Sequence, residues 1–590
     1  MSQPTVRRDA LYLGDEAHPL FASFHTAEGV AARDSVAVIC NPLGYEYVHS
    51  HRTLRHLADD LARIGVPALR FDYDGTGDSP GTDMAPERLT RWLQDIQTAM
   101  AVARTLSGRS RVCLIGLRLG ATLAALTASR TPVDSLVLWS PCVSGRRYVR
   151  EMQALAQAAG LPERADAGTL ESAGFLMSAE TQQELKAIQV LGLPAQVSRG
   201  ALIVARDDMN EDHHLSDHLR SLGVATDVLT FAGYADMMAE PQKTVVPRAA
   251  IEDIVRWVVA HTQEATEPLP ASLHRSAEPT IQFTSADGSE TRLTETACRF
   301  GEGGYLAGIH CQAQGGDHLR PTVVLFNSGV VHRIGPNRLY VDLARSLATL
   351  GFSTFRCDIE GIGDSVLRGE GRENHPYPDT ADRDAAVALR FLTERFGAQE
   401  FVLMGLCSGA YTSFNAGLGD GAWPIAELVL INPLTFRWQE GDVLDTQHYR
   451  VMAHYKGTMR RLDSWKKLLR GQVNLIHLGG VVLSYLRKQL GSYGNALAER
   501  WFPSAGPLLS RQLRQLFSRG RRVSLFIASG DPGWDMLTSK ARHTASQAQK
   551  RGDLAVRFIA DADHTFSSED SRRRLLAGVR EHLLQRFKLR

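Results

Sequence analysis

Residues 400–410 read Glu400-Phe401-Val402-Leu403-Met404-Gly405-Leu406-Cys407-Ser408-Gly409-Ala410. An apolar run suited to a buried strand passes into Gly405-Leu406-Cys407-Ser408-Gly409, and small residues suited to a helix start follow. This is the Gly-x-nucleophile-x-Gly pattern of a sharp strand–turn–helix. The central residue sits in a strained backbone conformation, and glycines on either side remove side chains that would collide there. Cys407 holds the central position, with Ser408 directly after it. The short pattern alone is weak; the strand before it, the helix after it and the Gly361/Gly363 loop upstream give it weight. The competing reading keeps Cys407 as a buried structural thiol.

A nucleophile displayed in this way takes its acid and then its histidine from later strand ends. Val523-Ser524-Leu525-Phe526-Ile527-Ala528 reads as a strand running into Ser529-Gly530-Asp531-Pro532-Gly533, so Asp531 is the expected acid and Asp535 its rival. Val556-Arg557-Phe558-Ile559 then precedes Ala560-Asp561-Ala562-Asp563-His564, which places His564 before the last helix as the base. A free thiol is mostly protonated at neutral pH, so the chemistry needs an imidazole to take the proton and a carboxylate to fix its tautomer. Oxyanion donors are expected from the backbone N–H of Ser408 and from Val330, in the loop Asn327-Ser328-Gly329-Val330. Asn327, Ser328, Gly329 and His332 of that region, together with Arg118, are candidate substrate-binding residues.

The same landmarks occur twice. Arg70-Phe71-Asp72-Tyr73-Asp74-Gly75-Thr76-Gly77-Asp78-Ser79 and Arg356-Cys357-Asp358-Ile359-Glu360-Gly361-Ile362-Gly363-Asp364-Ser365 agree at six of ten positions. The strand Ser35 to Asn41 matches Pro321 to Asn327, Val112 to Leu117 matches Phe401 to Leu406, and Leu136 to Leu138 with Ser140-Pro141 matches Leu428 to Leu430 with Asn432-Pro433. The offsets are 286, 286, 289 and 292 residues, so order and spacing both hold. This is a duplicated domain. Apolar Val/Ile/Leu runs alternate with amphipathic stretches such as 53–65, which predicts a parallel sheet covered by helices on both faces in each copy. The fold class is α/β: two tandem domains, each a doubly wound, mostly parallel sheet with a helical lid insertion. The expected boundaries are a first domain over 1–262, a polar, Pro-interrupted linker over 263–278 and a second domain over 279–590. Each copy carries a long non-strand insertion after its Leu-Val-Leu strand, at about 145–198 and about 436–520, where a lid would sit.

The first copy lacks the chemistry. Its turn reads Gly116-Leu117-Arg118-Leu119-Gly120-Ala121, and a guanidinium neither deprotonates nor attacks a carbonyl. Asp207 or Asp208 stands where the acid belongs, but Phe231-Ala232-Gly233-Tyr234-Ala235-Asp236 contains no histidine. Two readings are open for Arg118: a clamp on a carboxylate or phosphate, or, preferred, a structural ion pair with Asp207.

Composition bounds the rest. At 590 residues the chain exceeds one core. Its 66 Lys and Arg balance 65 Asp and Glu, which excludes bulk electrostatic binding of nucleic acid. Seven cysteines lie singly with no CxxC pair, which suits reduced thiols rather than a disulfide framework or zinc site; no metal or cofactor is expected. No signal peptide and no run of 18 uncharged apolar residues is read, so the expected location is the cytoplasm.

The chain minus linker and tails resembles the α/β-hydrolase superfamily. Its first half is similar to hydrolase-like proteins encoded beside exosortase and exopolysaccharide gene clusters, through Asn41-Pro42-Leu43-Gly44-Tyr45-Glu46, the 71–79 loop and the Arg-containing turn. The second half, with Cys in the turn, resembles dienelactone hydrolases and some acyl-transferring members. The resemblance implies triad roles for Cys407, Asp531 and His564, a bacterial source and a polysaccharide or secondary-metabolite pathway. The second insertion bears Lys456, Arg460, Arg461, Lys466, Lys467, Arg470, Arg487 and Lys488 around the apolar stretch 473–486. This pattern suits a solvated face over core, an acyl chain carried on an acidic carrier protein or coenzyme A, or an anionic membrane surface. Two functions stay open: acyl transfer or thioester/ester hydrolysis through acyl-Cys407, and a catalytically dead tandem scaffold that binds a ligand or partner. Oligomeric state is not read.

Overall fold

A computed structural model of the chain describes residues 4–15, 17–159, 168–193, 197–208, 213–267, 279–284, 288–315, 320–419, 423–439 and 507–588. The first sheet comprises β1 (Val6–Leu13), β2 (Leu20–Ala27), β3 (Ser35–Cys40), β4 (Ala68–Phe71), β5 (Arg111–Leu117), β6 (Val133–Trp139), β9 (Ser198–Arg206) and β10 (Ala225–Phe231). Its order is β1-β2-β4-β3-β5-β6-β9-β10. β2 runs antiparallel to both β1 and β4, and from β4 onward every pairing is parallel.

The parallel strands are apolar almost throughout because helices cover both faces. On one face Leu93, Ile96 and Met100 of the helix Arg88–Ser107 join Val36, Leu69 and Leu114. On the other, Leu54, Leu57 and Leu61 of the helix Tyr45–Arg63 join Ile39, Ile115 and Val204. The insertion after β6 holds the helix Gly145–Ala158, a small antiparallel hairpin of β7 (Leu170–Ser172) and β8 (Phe175–Met177), and the helix Ala179–Ala187. The expectation of a wholly non-strand insertion is corrected by that hairpin.

The second sheet repeats the plan with β11 (Thr280–Thr284), β12 (Glu290–Phe300), β13 (Leu306–Ala313), β14 (Thr322–Phe326), β15 (Thr354–Asp358), β16 (Phe401–Leu406), β17 (Ile425–Ile431), β18 (Arg522–Ala528) and β19 (Leu554–Ile559). Its order is β11-β12-β13-β15-β14-β16-β17-β18-β19. The exchange of the first two parallel strands, β4-β3 and β15-β14, recurs, as the repeat requires. By packing, one unit is Met1–Arg299 with Ile309–Gln314 and the other is Phe300–Gly308 with Gly315–Arg590, whereas hydrogen bonding assigns all of β11–β13 to the second sheet.

Most of the expected linker and most of the second insertion, including its basic residues and the stretch 473–486, lie outside the described residues. No helix among the described residues is long and apolar enough to cross a membrane.

The repeated loop after β4 and β15 does the same work twice. Ser79 Oγ donates to Asp72 O and accepts from Phe21 N; Ser365 Oγ donates to Asp358 O and accepts from Ala307 N. Asp78 N and Asp364 N donate to the carboxylates of Asp72 and Asp358. Gly77 and Gly363 have positive φ of 51° and 56°, and a β-carbon on either would overlap that carboxylate. The Asp-x-x-x-x-Gly-Asp-Ser spacing therefore encodes a loop wrapped around one buried aspartate.

Candidate active site

β16 delivers Cys407 into the turn expected of it. Its φ of 59° and ψ of −114° lie in a region costly for a non-glycine residue, and the helix Ser408–Leu418 starts at once. A β-carbon on Gly405 would meet the backbone of Gly409, and one on Gly409 would meet Phe326 O. The two glycines therefore let the turn close against the end of β14. Cys407 is the one cysteine of seven that is not buried.

Asp531 lies just past β18 and His564 just past β19. Asp531 Oδ2 receives His564 Nδ1 at 2.6 Å, with the carboxylate 3% exposed. Asp535 is an exposed residue of the helix Gly533–Arg551 and is not the partner. His564 Nε2 is buried, without a hydrogen-bond partner among the described residues, and faces the Cys407 sulfur. Burial disfavours charge on this imidazole, but its hydrogen bond to Asp531 and its contact with Cys407 outweigh that, and its pKa is pushed up to about 10. A proton leaving Cys407 therefore has a well-oriented acceptor that holds it.

The loop after β14 is held from beneath. Asp358 accepts from Asn327 Nδ2 at 2.9 Å, from Arg333 N at 2.6 Å and from Arg333 Nη1 at 2.9 Å. Arg333 also reaches Asp364 at 2.9 Å. Asn327, 2% exposed, further donates to Val331 O and accepts from Ile359 N, so it builds the loop rather than facing a ligand. Ser408 Oγ, expected only as a neighbour of the nucleophile, donates to Asn327 O and Gly329 O at 3.2 and 3.3 Å and ties the loop to the turn. Ser328 and His332 are 4% and 2% exposed. Among the described residues the backbone N–H groups of Ser408 and Val330 meet no acceptor, which leaves both open to an incoming oxygen.

The family model for serine aminopeptidase, S33, matches residues 46–182 and 320–466, one stretch in each half. Both halves carry the α/β-hydrolase fold. Solved structures similar to this chain include the ferulic-acid complex of Est1E from Butyrivibrio proteoclasticus, with 18% identity over 43% of this chain and 99% of that one, at a TM-score of 0.35. XC6422 from Xanthomonas campestris, described as an α/β serine hydrolase without a lid, has 15% identity over 45% and 97% of the two chains, at a TM-score of 0.28. Among curated proteins none matches.

The first domain keeps the turn and carries a guanidinium in it. Arg118 has φ 54° and ψ −122°, close to the values of Cys407. Its partner is not Asp207. Nε donates to Glu46 Oε1 at 2.6 Å and Nη2 to Glu151 Oε2 at 2.7 Å, while the acid position feeds a separate pair, Arg206 with Asp208. Tyr234, in the segment after β10 where the second domain has His564, donates to Glu46 at 3.3 Å and lies under the Arg206 guanidinium at 3.5 Å. Glu46 sits six residues past β3, as His332 does past β14, and Glu151 belongs to the insertion helix. Arg118 therefore ties the insertion helix Gly145–Ala158 to the first turn of the helix Tyr45–Arg63. Both of its anionic contacts are internal to the domain.

A Ser–His–Asp chain does occur in this domain, away from every motif that marks a strand end. Ser23 Oγ lies 3.1 Å from His25 Nε2, and His25 Nδ1 lies 2.9 Å from Asp59 Oδ1. All three are buried, Arg70 Nε also donates to His25 Nε2, and burial pushes the His25 pKa down to about 4. With no opening to a substrate this is a packing network.

One positioning residue of the second site was also missed. Asn432, at the end of β17, donates to His564 O at 2.7 Å and accepts from Ala528 N at 2.8 Å, clasping the strand before the acid to the loop bearing the base. The Asn432-Pro433 landmark was visible, but only as a repeat match to Ser140-Pro141. No group of three or more metal-ligating side chains is gathered among the described residues.

Proposed function

We propose that the second domain is an acyl-transfer enzyme, cleaving an ester or thioester through an acyl-Cys407 intermediate, and that the first domain is non-catalytic. The observation that carries this is the imidazole of His564, fixed by Asp531 at 2.6 Å and presenting an otherwise unpartnered Nε2 to the sulfur. The hydrolase family model matching both halves supports the reaction class.

His564 Nε2 takes the Cys407 proton and the thiolate attacks the acyl carbonyl carbon. The carbonyl oxygen becomes an oxyanion between the N–H groups of Ser408 and Val330. As the tetrahedral species collapses, the C–O or C–S bond to the leaving group breaks, and the imidazolium returns a proton to that group. Water or an acceptor hydroxyl then loses its proton to His564, attacks the thioester carbonyl and releases Cys407. Asp531 keeps the Nδ1–H tautomer throughout. A thioester donor carried on coenzyme A or a carrier protein, and an acceptor other than water in a bacterial biosynthetic pathway, belong to the same proposal.

Turnover of p-nitrophenyl butyrate and of an acyl thioester by the intact chain tests it. Cys407→Ala is expected to lose roughly 10³-fold or more in kcat/KM with an unchanged melting temperature, and Cys407→Ser to keep a fraction. Equal activity of wild type and Cys407→Ala would remove Cys407 from the mechanism.

A further inference from the structure

A second side chain, a phenol, faces the Cys407 sulfur, and the steps above do not use it. Tyr377 lies in the irregular segment between β15 and the helix Ala381–Phe396, and is 3% exposed. Its ring stacks on Trp438 at 4.7 Å and 22°, and meets Tyr411 edge-on at 5.2 Å and 86°. Tyr411 is on the first turn of the helix that follows the nucleophile, its N–H bonded to Cys407 O at 3.3 Å. The Tyr377 ring is thus gripped on two sides and registered against the turn. Its Oη is buried and has no hydrogen-bond partner among the described residues.

A buried hydroxyl left so costs about 1–3 kcal/mol, which a folded state tolerates where the group has another use. Burial, and then the neighbouring Cys407 sulfur, hold the Tyr377 hydroxyl well above the ordinary tyrosine value, so it keeps its proton through the working range and acts only as a donor.

We propose that Tyr377 is a further catalytic residue, whose hydroxyl donates a hydrogen bond to the Cys407 sulfur whenever that sulfur carries charge. This rests on the acyl-Cys407 reading. Charge appears on the sulfur at two moments: when His564 has taken its proton, and when it is expelled from the thioester in the second half-reaction. In the first, the phenol and the imidazolium are two donors on one thiolate. In the second, the phenol stabilises the departing thiolate. No proton leaves Tyr377 in either step.

Iodoacetamide alkylation of the intact protein, read at each cysteine peptide between pH 6 and pH 10, tests the assignment. Tyr377→Phe keeps the stack on Trp438 and removes only the hydroxyl. It is expected to slow Cys407 alkylation about tenfold at pH 6, the scale of one hydrogen bond to a charged group, with the difference closing to within about twofold at pH 10. Its melting temperature reports whether the packing survives. A profile identical to wild type overturns the proposal, and so does a slowing by one factor at every pH, which is what a packing role alone would give. If wild-type Cys407 reacts no faster than the buried Cys298 and Cys311, the acyl-Cys407 reading fails, and this proposal falls with it by a different signature.

Discussion

Cys407 and Arg118 share a backbone conformation and differ in everything their side chains permit. The strained turn presents whatever it carries to the same kind of place, above the sheet and beside the loops that follow it. With a thiol there, an imidazole and a carboxylate complete a proton path; with a guanidinium there, two glutamates and a tyrosine close around it. The titration of His564 follows from its surroundings. An imidazole that binds its proton more tightly folded than unfolded stabilises the fold fully below the ordinary histidine value near 6.5, and that stabilisation is lost as pH rises toward about 10. Thermal unfolding of wild type and His564→Gln at pH 6, 8 and 10 is expected to show a wild-type advantage that shrinks with rising pH. An advantage constant across that range would place the histidine's value back in the ordinary region.

At the scale of elements, loops and turns fix the site more than strands do. The loop around Asp358 sets the position of Asn327, Arg333 and Asp364, and hence of the backbone that Val330 offers. Gly363→Ala places a methyl against the Asp358 carboxylate and is expected to cost roughly 1–3 kcal/mol, measured by urea unfolding, with kcat/KM falling as well because the oxyanion loop shifts. Gly77→Ala in the first domain should cost a similar amount and leave kcat/KM as it is. Equal loss of activity in both would mean that the loop acts through stability alone.

This loop was legible because a ten-residue stretch recurred with six identities, in step with the other repeated landmarks. Cys407, Asp531 and His564 were legible because strand ends in chain order restrict where they can stand. The partners of Arg118 were not, since Glu46 and Glu151 lie 72 and 33 residues away on two separate helices and only the folded chain brings them in. Tyr377 carried no signal at all: it sits in an irregular segment without periodicity or motif. The outer strands β1 and β11 also went unread, because their half-buried patterns lack the apolar runs that mark the central ones.

The whole molecule is a duplication in which one copy holds an internal ion cluster where the other holds a thiol. Burying Arg118 beside a fully buried Glu46 is favourable only while both are present, since one charge alone pays the full desolvation cost. Burial raises the Glu46 pKa and Arg118 opposes that rise. Arg118→Met is expected to destabilise the first domain by about 3–5 kcal/mol, and the added change Glu46→Gln to recover part of it. Hydrogen exchange in β5 reports the first domain, and ester turnover at Cys407 should stay at the wild-type kcat. A kcat that falls as far as in Cys407→Ala would show that the first domain takes part in the reaction.

The central claim is that acyl groups pass through the Cys407 sulfur. Peptide mapping by mass spectrometry after brief exposure of the intact chain to p-nitrophenyl butyrate tests it most directly, with Asp531→Asn examined alongside to slow release of the acyl group. A butyryl mass increment is expected on the peptide containing Cys407, labile to hydroxylamine as a thioester is, and absent from Cys407→Ala. A stable increment on Ser408, or none on this peptide while ester is turned over, would contradict it.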